Sequence, residues 1–326
     1  MSKNGDYLNI SVVIPVYNSE QWIARAIQSV LNQTVKPNEI IVVNDGSTDH
    51  TAEDIKKFDN HVRYIYQDNA GPGAARNNGI KNTTGEWIAF LDADDQWYRY
   101  KLASQIAILS RYENLKWCAC SYDIQKASGI EKRTIGYLSR HELVAHGFFP
   151  NALRIARRDS FFHTSGMLIH KSVFDKVGLF DESLRQAQDN DLWRRIALQY
   201  PTIGYCSFPC HIYHTEIEGS VAKGNASSSC NFRSMAKSLP IAKKYSPELY
   251  NEFLRLARAT SFRWLVKLPF QRPDLLGTTY KEYLGIVPLS KPATIILKIM
   301  RILPQKIARK LAGPIRDFSH FWNRWR

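Results

Sequence analysis

No stretch of 18 or more apolar residues occurs in this 326-residue chain, so the sequence offers no segment able to cross a bilayer as a helix. The N-terminal "MSKNGDYLNISVVIPVYN" has an apolar run of strand length and no small-residue cleavage site, and is not expected to be a signal peptide. Cysteine is scarce. Five residues, an odd number without framework spacing, fit a reducing compartment and make the cytosol the expected location. Cys206, Cys210, His211 and His214 crowd into "CSFPCHIYH", but the long connector that lets two Cys and two His wrap an ion is missing. Structural zinc is therefore not expected from that cluster. Acid is in short supply as well: 30 Asp and Glu face 44 Lys and Arg, a net charge of +14. Such a balance calls for an anionic partner, whether nucleic acid, a membrane surface or a phosphorylated substrate. Glycine is missing where two nucleotide motifs need it. "PVYNSEQW" holds none, which excludes the nicotinamide fingerprint, and no G-x-x-x-x-G-K-[ST] phosphate loop occurs.

What is present is an alternation. "ISVVIPV" (10–16) is a continuous β-branched run, as expected of a parallel strand covered on both faces. In the following "SEQWIARAIQSVLNQ", Trp22, Ile23, Ala26, Ile27, Val30 and Leu31 share one helical face, with Ser19 placed as its cap. "EIIVVN" (39–44) reads as a second strand ending at "DGSTDHT", where Asp49 or Thr51 can start a helix. "VRYIY" (62–66) and "EWIAFL" (86–91) are a third and fourth strand, separated by the helical "GPGAARNNGI". Strands alternating with helices define an α/β fold with a doubly wound, mostly parallel sheet. Ligands of such sheets bind beyond the carboxyl ends of the strands. Those ends carry Tyr17 and Asn18, then Asp45, then Gln67 and Asp68, then Asp92, Asp94 and Asp95.

Three aspartates side by side repel and raise one another's pKa unless a cation or a hydrogen-bonding partner sits among them. A pocket floored by carboxylates holds phosphate through a divalent metal, with Arg or Lys helping, and Arg76 opens the helix after the third strand. The pattern therefore favours a nucleoside diphosphate carried on a metal. Against this stand plainer roles: Asp45 as a turn residue, Arg76 as a surface charge and Asp95 as a helix cap.

The four segments "SVVIPVYNSEQWIARAIQSVLNQT", "EIIVVNDGSTDHT", "GPGAARNNGI" and "GEWIAFLDADDQW" resemble, in order and spacing, the family 2 glycosyltransferases of the GT-A fold. The likeness is close over residues 9–100, and a looser one, "HTSGMLIHKSVFDKVGLFDESLRQAQDNDLWRRIA", extends it to about residue 200. The resemblance implies that Pro15 and Tyr17 contact the nucleotide, that Asp45 accepts from the uracil imide, and that Arg76 contacts base and phosphate. "DADD" is similar to a D-x-D motif: Asp92 would touch ribose or sugar and Asp94 would ligate Mg²⁺ or Mn²⁺. "QDNDLWRR" resembles a segment whose second carboxylate is the general base, which places the base at Asp189. The preceding residue is Gln188 where the family has Glu, so any charge-dependent role there is lost. Of two carboxylates two apart on a helix only one faces the site, and Asp191 is the lesser candidate beside Asp189. His214 matches a family histidine some 25 residues beyond the base, though its spacing is irregular and His211 competes. The Gly- and Ser-rich "EGSVAKGNASSS" is suited to a lid.

The resemblance thus implies an inverting transferase moving a hexose or N-acetylhexosamine from a UDP-sugar to a hydroxyl of a lipid-linked oligosaccharide in lipopolysaccharide, O-antigen or capsule assembly, with a β-glycosidic product. Residues 1–220 form the expected catalytic domain, with 1–100 the nucleotide-sugar half and 101–220 the acceptor half. Residues 221–326 form a helical C-terminal region. Its last 36 residues, 291–326, hold nine Lys or Arg and one acid, Asp317. Ile295, Ile296, Ile299, Ile302 and Leu303 can share a face opposite Lys298, Arg301 and Arg309, and Phe318, Phe321, Trp322 and Trp325 follow. A basic amphipathic segment of this kind suits an anionic membrane surface, and equally a helix packed on the domain with a solvated face. The expected place is peripheral, on the cytoplasmic face of the inner membrane, with no nucleic-acid partner. The rival readings are a nucleotidyltransferase on a similar sheet and a non-catalytic membrane or nucleic-acid binding module.

Overall fold

The computed structural model describes residues 8–132, 141, 143, 147–159, 162–184, 186–215 and 227–271. Its strands are β1 (Ile10–Val16), β2 (Glu39–Asp45), β3 (Arg63–Gln67), β4 (Trp87–Phe90), β5 (Gln96–Trp97), β6 (Trp117–Lys126), β7 (Gly129–Lys132), β8 (Phe148–Phe149), β9 (Leu168–His170) and β10 (Ile203–His214). They join one sheet in the order β3-β2-β1-β4-β9-β6-β10-β5, with β7 on β6 and β8 on β10. The helices are α1 (Ile23–Leu31), α2 (Thr51–Lys56), α3 (Pro72–Asn82), α4 (Lys101–Arg111), α5 (Ala152–Asp159), α6 (Ser172–Val177), α7 (Gln188–Gln199), α8 (Ser227–Ala242) and α9 (Pro247–Gln271).

β1 is buried along its whole length because β2 and β4 flank it in parallel and helices cover both faces. Ile10, Val12, Ile14 and Val16 meet Ile23, Ala26, Ile27 and Val30 of α1. On the other face Val13 lies under α3, so close that a Cβ on Gly79 would sit 2.3 Å from Val13 Cγ1. Only glycine lets that helix seat. The Val13 carbonyl accepts from Leu91 N at 3.1 Å, so alternate residues of β1 turn their polar groups toward β4. Pro15, two residues on, faces the point where β4 has ended, and its missing N–H costs the ladder nothing there.

β9 is antiparallel to β4 and to β6, and β10 is parallel to β6. β6 and β10 therefore end on the same side of the sheet as β1, β2 and β4. The two halves are clamped by Asn77 of α3, whose Nδ2 donates to the Phe180 carbonyl (2.9 Å) and Glu182 Oε1 (2.8 Å) while its Oδ1 accepts from Phe180 N (2.9 Å). The segment leading to α7 is thereby tied to α3. Met235 and Ala242 of α8 and Phe253, Leu256 and Ala257 of α9 join the same core as Trp193 and Ile196 of α7.

Some local expectations change. α1 begins at Ile23, not at Ser19; the Ser19 carbonyl accepts from Trp22 N and Ile23 N (2.9 Å each) while its hydroxyl turns back to the Tyr17 carbonyl. Ser19 therefore makes no side-chain cap. Ser227, Ser228 and Ser229, taken as part of a lid, open α8, and residues 216–226 lie outside the described residues. The basic tail, 291–326, lies outside them too. Among the described residues no helix is long and apolar enough to cross a membrane.

Candidate active site

The strand exits deliver their polar groups to one edge. Pro15 is buried at the end of β1, and Tyr17 just beyond it is 49% exposed. Asn18 follows in the left-handed region (φ 44°), and its Oδ1 accepts from Thr48 N at 2.8 Å, joining the β1 and β2 exits. Asp45, at the end of β2, is almost wholly buried. Its Oδ1 accepts from Gln67 Nε2 (2.7 Å) and Ala70 N (2.9 Å), and its Oδ2 from Gly71 N (2.8 Å). A carboxylate offers about four acceptor positions, so three protein donors leave room for one ligand N–H.

Arg76, on α3, is 6% exposed, with its Cζ 5.5 Å from the Phe180 ring centroid. Its Nη2 donates to Asp92 Oδ1 at 2.5 Å, while its Nε and Nη1 are buried without a hydrogen-bond partner. Orphaned guanidinium donors at such depth are costly, and phosphate oxygens satisfy them in a fixed planar fork. Asp92 N in turn donates to Ser165 Oγ (3.1 Å). Burial, then the Asp92 charge, raises the Asp94 carboxyl to about 6; Arg76 and Arg25 oppose that rise. A cation would reverse the balance.

Asp95 is not a helix cap. α4 begins at Lys101, and Asp95 is fully buried where its Oδ2 accepts from Ser165 Oγ (2.5 Å) and its Oδ1 from His214 N (3.3 Å). Burial and the neighbouring Asp94 and Asp92 push its carboxyl well above the usual range. Asp95 Oδ2 is also 3.6 Å from His163 Nδ1, which lies 3.1 Å from His211 Nε2. His211, fully buried, is pushed well below the ordinary imidazole value, first by desolvation and then by His163. Its companions in "CSFPCH" take no part in this group: Cys206 and Cys210 are buried free thiols packed with Cys120 and Ile108.

His214 turns elsewhere. Desolvation and Arg25 lower its imidazole to about 4, and its Nδ1 is buried without a partner. Tyr213 is the residue that sequence reasoning missed on this strand. Its phenol is pushed up to about 12 by burial and by the carboxylates of Asp95, Asp94, Asp92 and Asp189, so it lies in the field of both the DADD corner and the start of α7.

α7 follows Ala187, a non-glycine in the left-handed region (φ 61°). Asp189, half-buried in the first turn, accepts from Asn190 N at 2.6 Å, where the helix terminus favours a negative charge. Asp191 is buried with both oxygens bound: its Oδ2 accepts from Arg195 Nε (2.8 Å) and its Oδ1 from Ser234 Oγ (2.7 Å). It secures α8 from within the core. Trp193 is buried beside Phe90 and Phe180. Gln188 is buried against the start of α3, its Cγ 3.4 Å from where a Gly73 Cβ would stand, and its Oε1 is unpartnered. One set of side chains brings three metal-ligating atoms together, the buried Asp95, His163 and His211, while Asp92 and Asp94 pair carboxylates at the neighbouring corner.

A parallel sheet whose exits gather carboxylates, a buried arginine with spare donors and a helix-borne carboxylate define an α/β protein built to hold a charged, oxygen-rich ligand. Residues 11–178 match the family described as Glycosyl transferase family 2. An uncharacterized glycosyltransferase of Rickettsia typhi is 38% identical over 187 residues, 56% of this chain and 57% of that one. Glycosyltransferase GlyA of Streptococcus pneumoniae is 34% identical over 183 residues, 55% of this chain and 22% of that one. The match thus spans little more than half the length of the rickettsial relative. Among solved structures, S. aureus TarS in complex with UDP-GlcNAc has a TM-score of 0.65 at 19% identity, covering 96% of this chain and 87% of that one. The mannosyltransferase PcManGT from Pyrobaculum calidifontis, in complex with GDP-Man and Mn²⁺, has a TM-score of 0.59 at 17% identity, covering 96% and 84%. Likeness at that identity speaks for the fold, which is GT-A. The chain belongs to glycosyl transferase family 2.

Proposed function

We propose that the protein is an inverting, metal-dependent glycosyltransferase that moves a hexose or N-acetylhexosamine from a UDP-sugar to a hydroxyl of a lipid-linked oligosaccharide, forming a β-glycosidic bond. The observation that carries this reading is Arg76: a buried guanidinium fixed to Asp92 by one nitrogen, with two others unpartnered, at the corner where Asp92 and Asp94 meet. That corner is shaped for a diphosphate. Pro15 and Tyr17 then border the base, and the spare acceptor position of Asp45 takes the uracil imide. Asp94, beside Asp92, would supply the oxygen ligand for Mg²⁺ or Mn²⁺. When bound, the ion neutralises charge on the departing nucleoside diphosphate.

The rest of the chemistry belongs to the chain. Asp189 takes the proton of the acceptor hydroxyl as that oxygen attacks the anomeric carbon from the side opposite the diphosphate. Arg76 holds phosphate oxygens and keeps Asp92 toward the sugar. Tyr213 stays protonated near neutral pH and offers a hydrogen bond between the two sets of carboxylates. Gln188 orients without charge.

The acceptor reading is supported by the charge of residues 291–326, which suits the anionic surface where lipid-linked glycans are found. The solved relative that carries UDP-GlcNAc supports the choice of uridine donor. The test is release of UDP from a panel of UDP-sugars by the full-length chain, with and without Mn²⁺. Metal-dependent UDP release from one or two sugars is expected. A panel of UDP-sugars that all stay intact with the metal present overturns the proposal.

A further inference from the structure

We propose that Asp95, His163 and His211 form a second, buried site for a first-row transition ion of the zinc class, separate from the donor corner and occupied without any nucleotide. The three atoms that meet are Asp95 Oδ2, His163 Nδ1 and His211 Nε2, all within 4.8 Å of one another. An ion about 2.1 Å from each of two ligands holds them about 3.0 Å apart at a right angle and about 3.6 Å apart at 120°. Two of the three separations, 3.1 Å between the imidazoles and 3.6 Å from the carboxylate to His163, fall at those limits. One shared proton accounts for the first contact. It does not account for the second, which exceeds hydrogen-bond length.

The surroundings are those of a ligand set held in place from behind. Ser165 Oγ donates to the same Asp95 oxygen, and His211 presents its other nitrogen, Nδ1, to Cys120 Sγ at 3.6 Å. Outer partners of this sort fix the tautomer and ring plane of a ligating histidine. Gly166 makes the space: a Cβ there would stand 3.1 Å from His211 Cε1 and 3.2 Å from Cys120 Sγ. Two imidazoles and one carboxylate suit a borderline ion rather than Mg²⁺ or Ca²⁺, which prefer oxygen throughout. Three protein ligands leave a further coordination position open. The ligands come from three separate stretches: Asp95 just before β5, His163 just before the turn at Thr164–Gly166, and His211 on β10. An ion there staples together the floor on which Asp94 stands.

The experiment uses the full-length chain, stripped with EDTA, dialysed, and titrated with Co²⁺ alone and with Zn²⁺ alone. One equivalent of Co²⁺ with visible ligand-field absorption is expected in the wild type and in Asp94→Asn, and binding at least about 100-fold weaker in His163→Gln. Zn²⁺ is expected to raise the melting temperature of the first two proteins by several degrees and to leave the third unchanged. Asp95 and His211 are wholly buried, so the His163 variant, with a side chain 18% exposed, carries the comparison, and its cooperative metal-free melt is the control for folding. If that variant fails to fold, Asp94→Asn decides alone: stabilisation by Zn²⁺ that survives in it supports the site. Absence of stoichiometric Co²⁺ binding, or binding abolished by Asp94→Asn and retained by His163→Gln, overturns the proposal. None of these readings needs a nucleotide, so the donor assignment can fail without touching this one.

Discussion

The region from β1 to β4 and the region beyond it meet at one sheet but are put together by different means. From β1 to β4, the carboxylates and Pro15 lie at or just past the ends of strands that pair in parallel with their neighbours, Arg76 sits on α3 between two of them, and each βα unit is local. Pro15, Asp45 and Asp92 reach the edge because their strands stop there. Beyond β4 the site depends on contacts far apart in the chain: Asp95 with Ser165 and His214, His163 with His211, and Asn77 with Phe180 and Glu182. On the proposed function, the first half would hold the donor and the second would set the distance from the donor to the base. Chemistry and binding should therefore separate when one half is altered at a time.

The largest effect is expected from Asp94→Asn, which removes the ligand charge and should cut metal-dependent turnover by about 1,000-fold or more, with UDP affinity falling alongside. Steady-state kinetics paired with calorimetry reads both, and near wild-type turnover refutes the donor assignment. Asp189→Asn touches only the proposed base. Turnover should fall by about 100- to 1,000-fold while UDP affinity in Mn²⁺ stays within about twofold; equal losses in binding and turnover would merge the two halves again. Asp191→Ala, two residues along the same helix, should act on stability, because it takes the acceptor from Arg195 Nε and from the Ser234 hydroxyl in the core. A loss of about 3 kcal/mol in a denaturant melt is expected, with turnover per folded molecule changed less than for Asp189→Asn. The reverse ranking would make Asp191 the base.

The smallest effect is a gain. Asp94 is held at about 6, above the ordinary carboxylate value of about 3.9. In metal-free protein the native state therefore keeps a proton that the unfolded chain has already lost, and native stability falls as pH rises through that window, the loss being complete above about 6. Asparagine has no such slope. Asp94→Asn in EDTA should be the more stable protein by about 1–2 kcal/mol near pH 7 and show no advantage near pH 4. Parallel stability curves across that range would remove the strain attributed to this corner.

These comparisons also show what a sequence discloses. "ISVVIPV", "EIIVVN" and "EWIAFL" announce buried strands through β-branched runs, and the polar residues after them mark the edge of the sheet; the boundaries shift only by a residue or two. The resemblance ranks Asp189 above Asp191 in "QDNDLW". The structure adds that Asp191 meets Ser234 from α8, a contact of no fixed spacing. Asp95 resembled a helix cap because capping residues and buried ligands share one residue type, and only Ser165 and His214, 70 and 119 positions away, tell them apart. His163 opens the looser family segment "HTSGMLIH", but nothing in that segment marks it as a partner of His211. Tyr213 was hidden by its neighbour His214, since the alternation of β10 decides which of the two enters the field of the carboxylates.

The most direct measurement is calorimetric titration of UDP into the full-length wild-type chain, run once with Mn²⁺ and once with EDTA. A corner built from Asp92, Asp94 and Arg76 predicts saturable one-to-one binding with the ion and at least about 100-fold weaker binding without it. Equal affinity in the two titrations, or none in either, contradicts it.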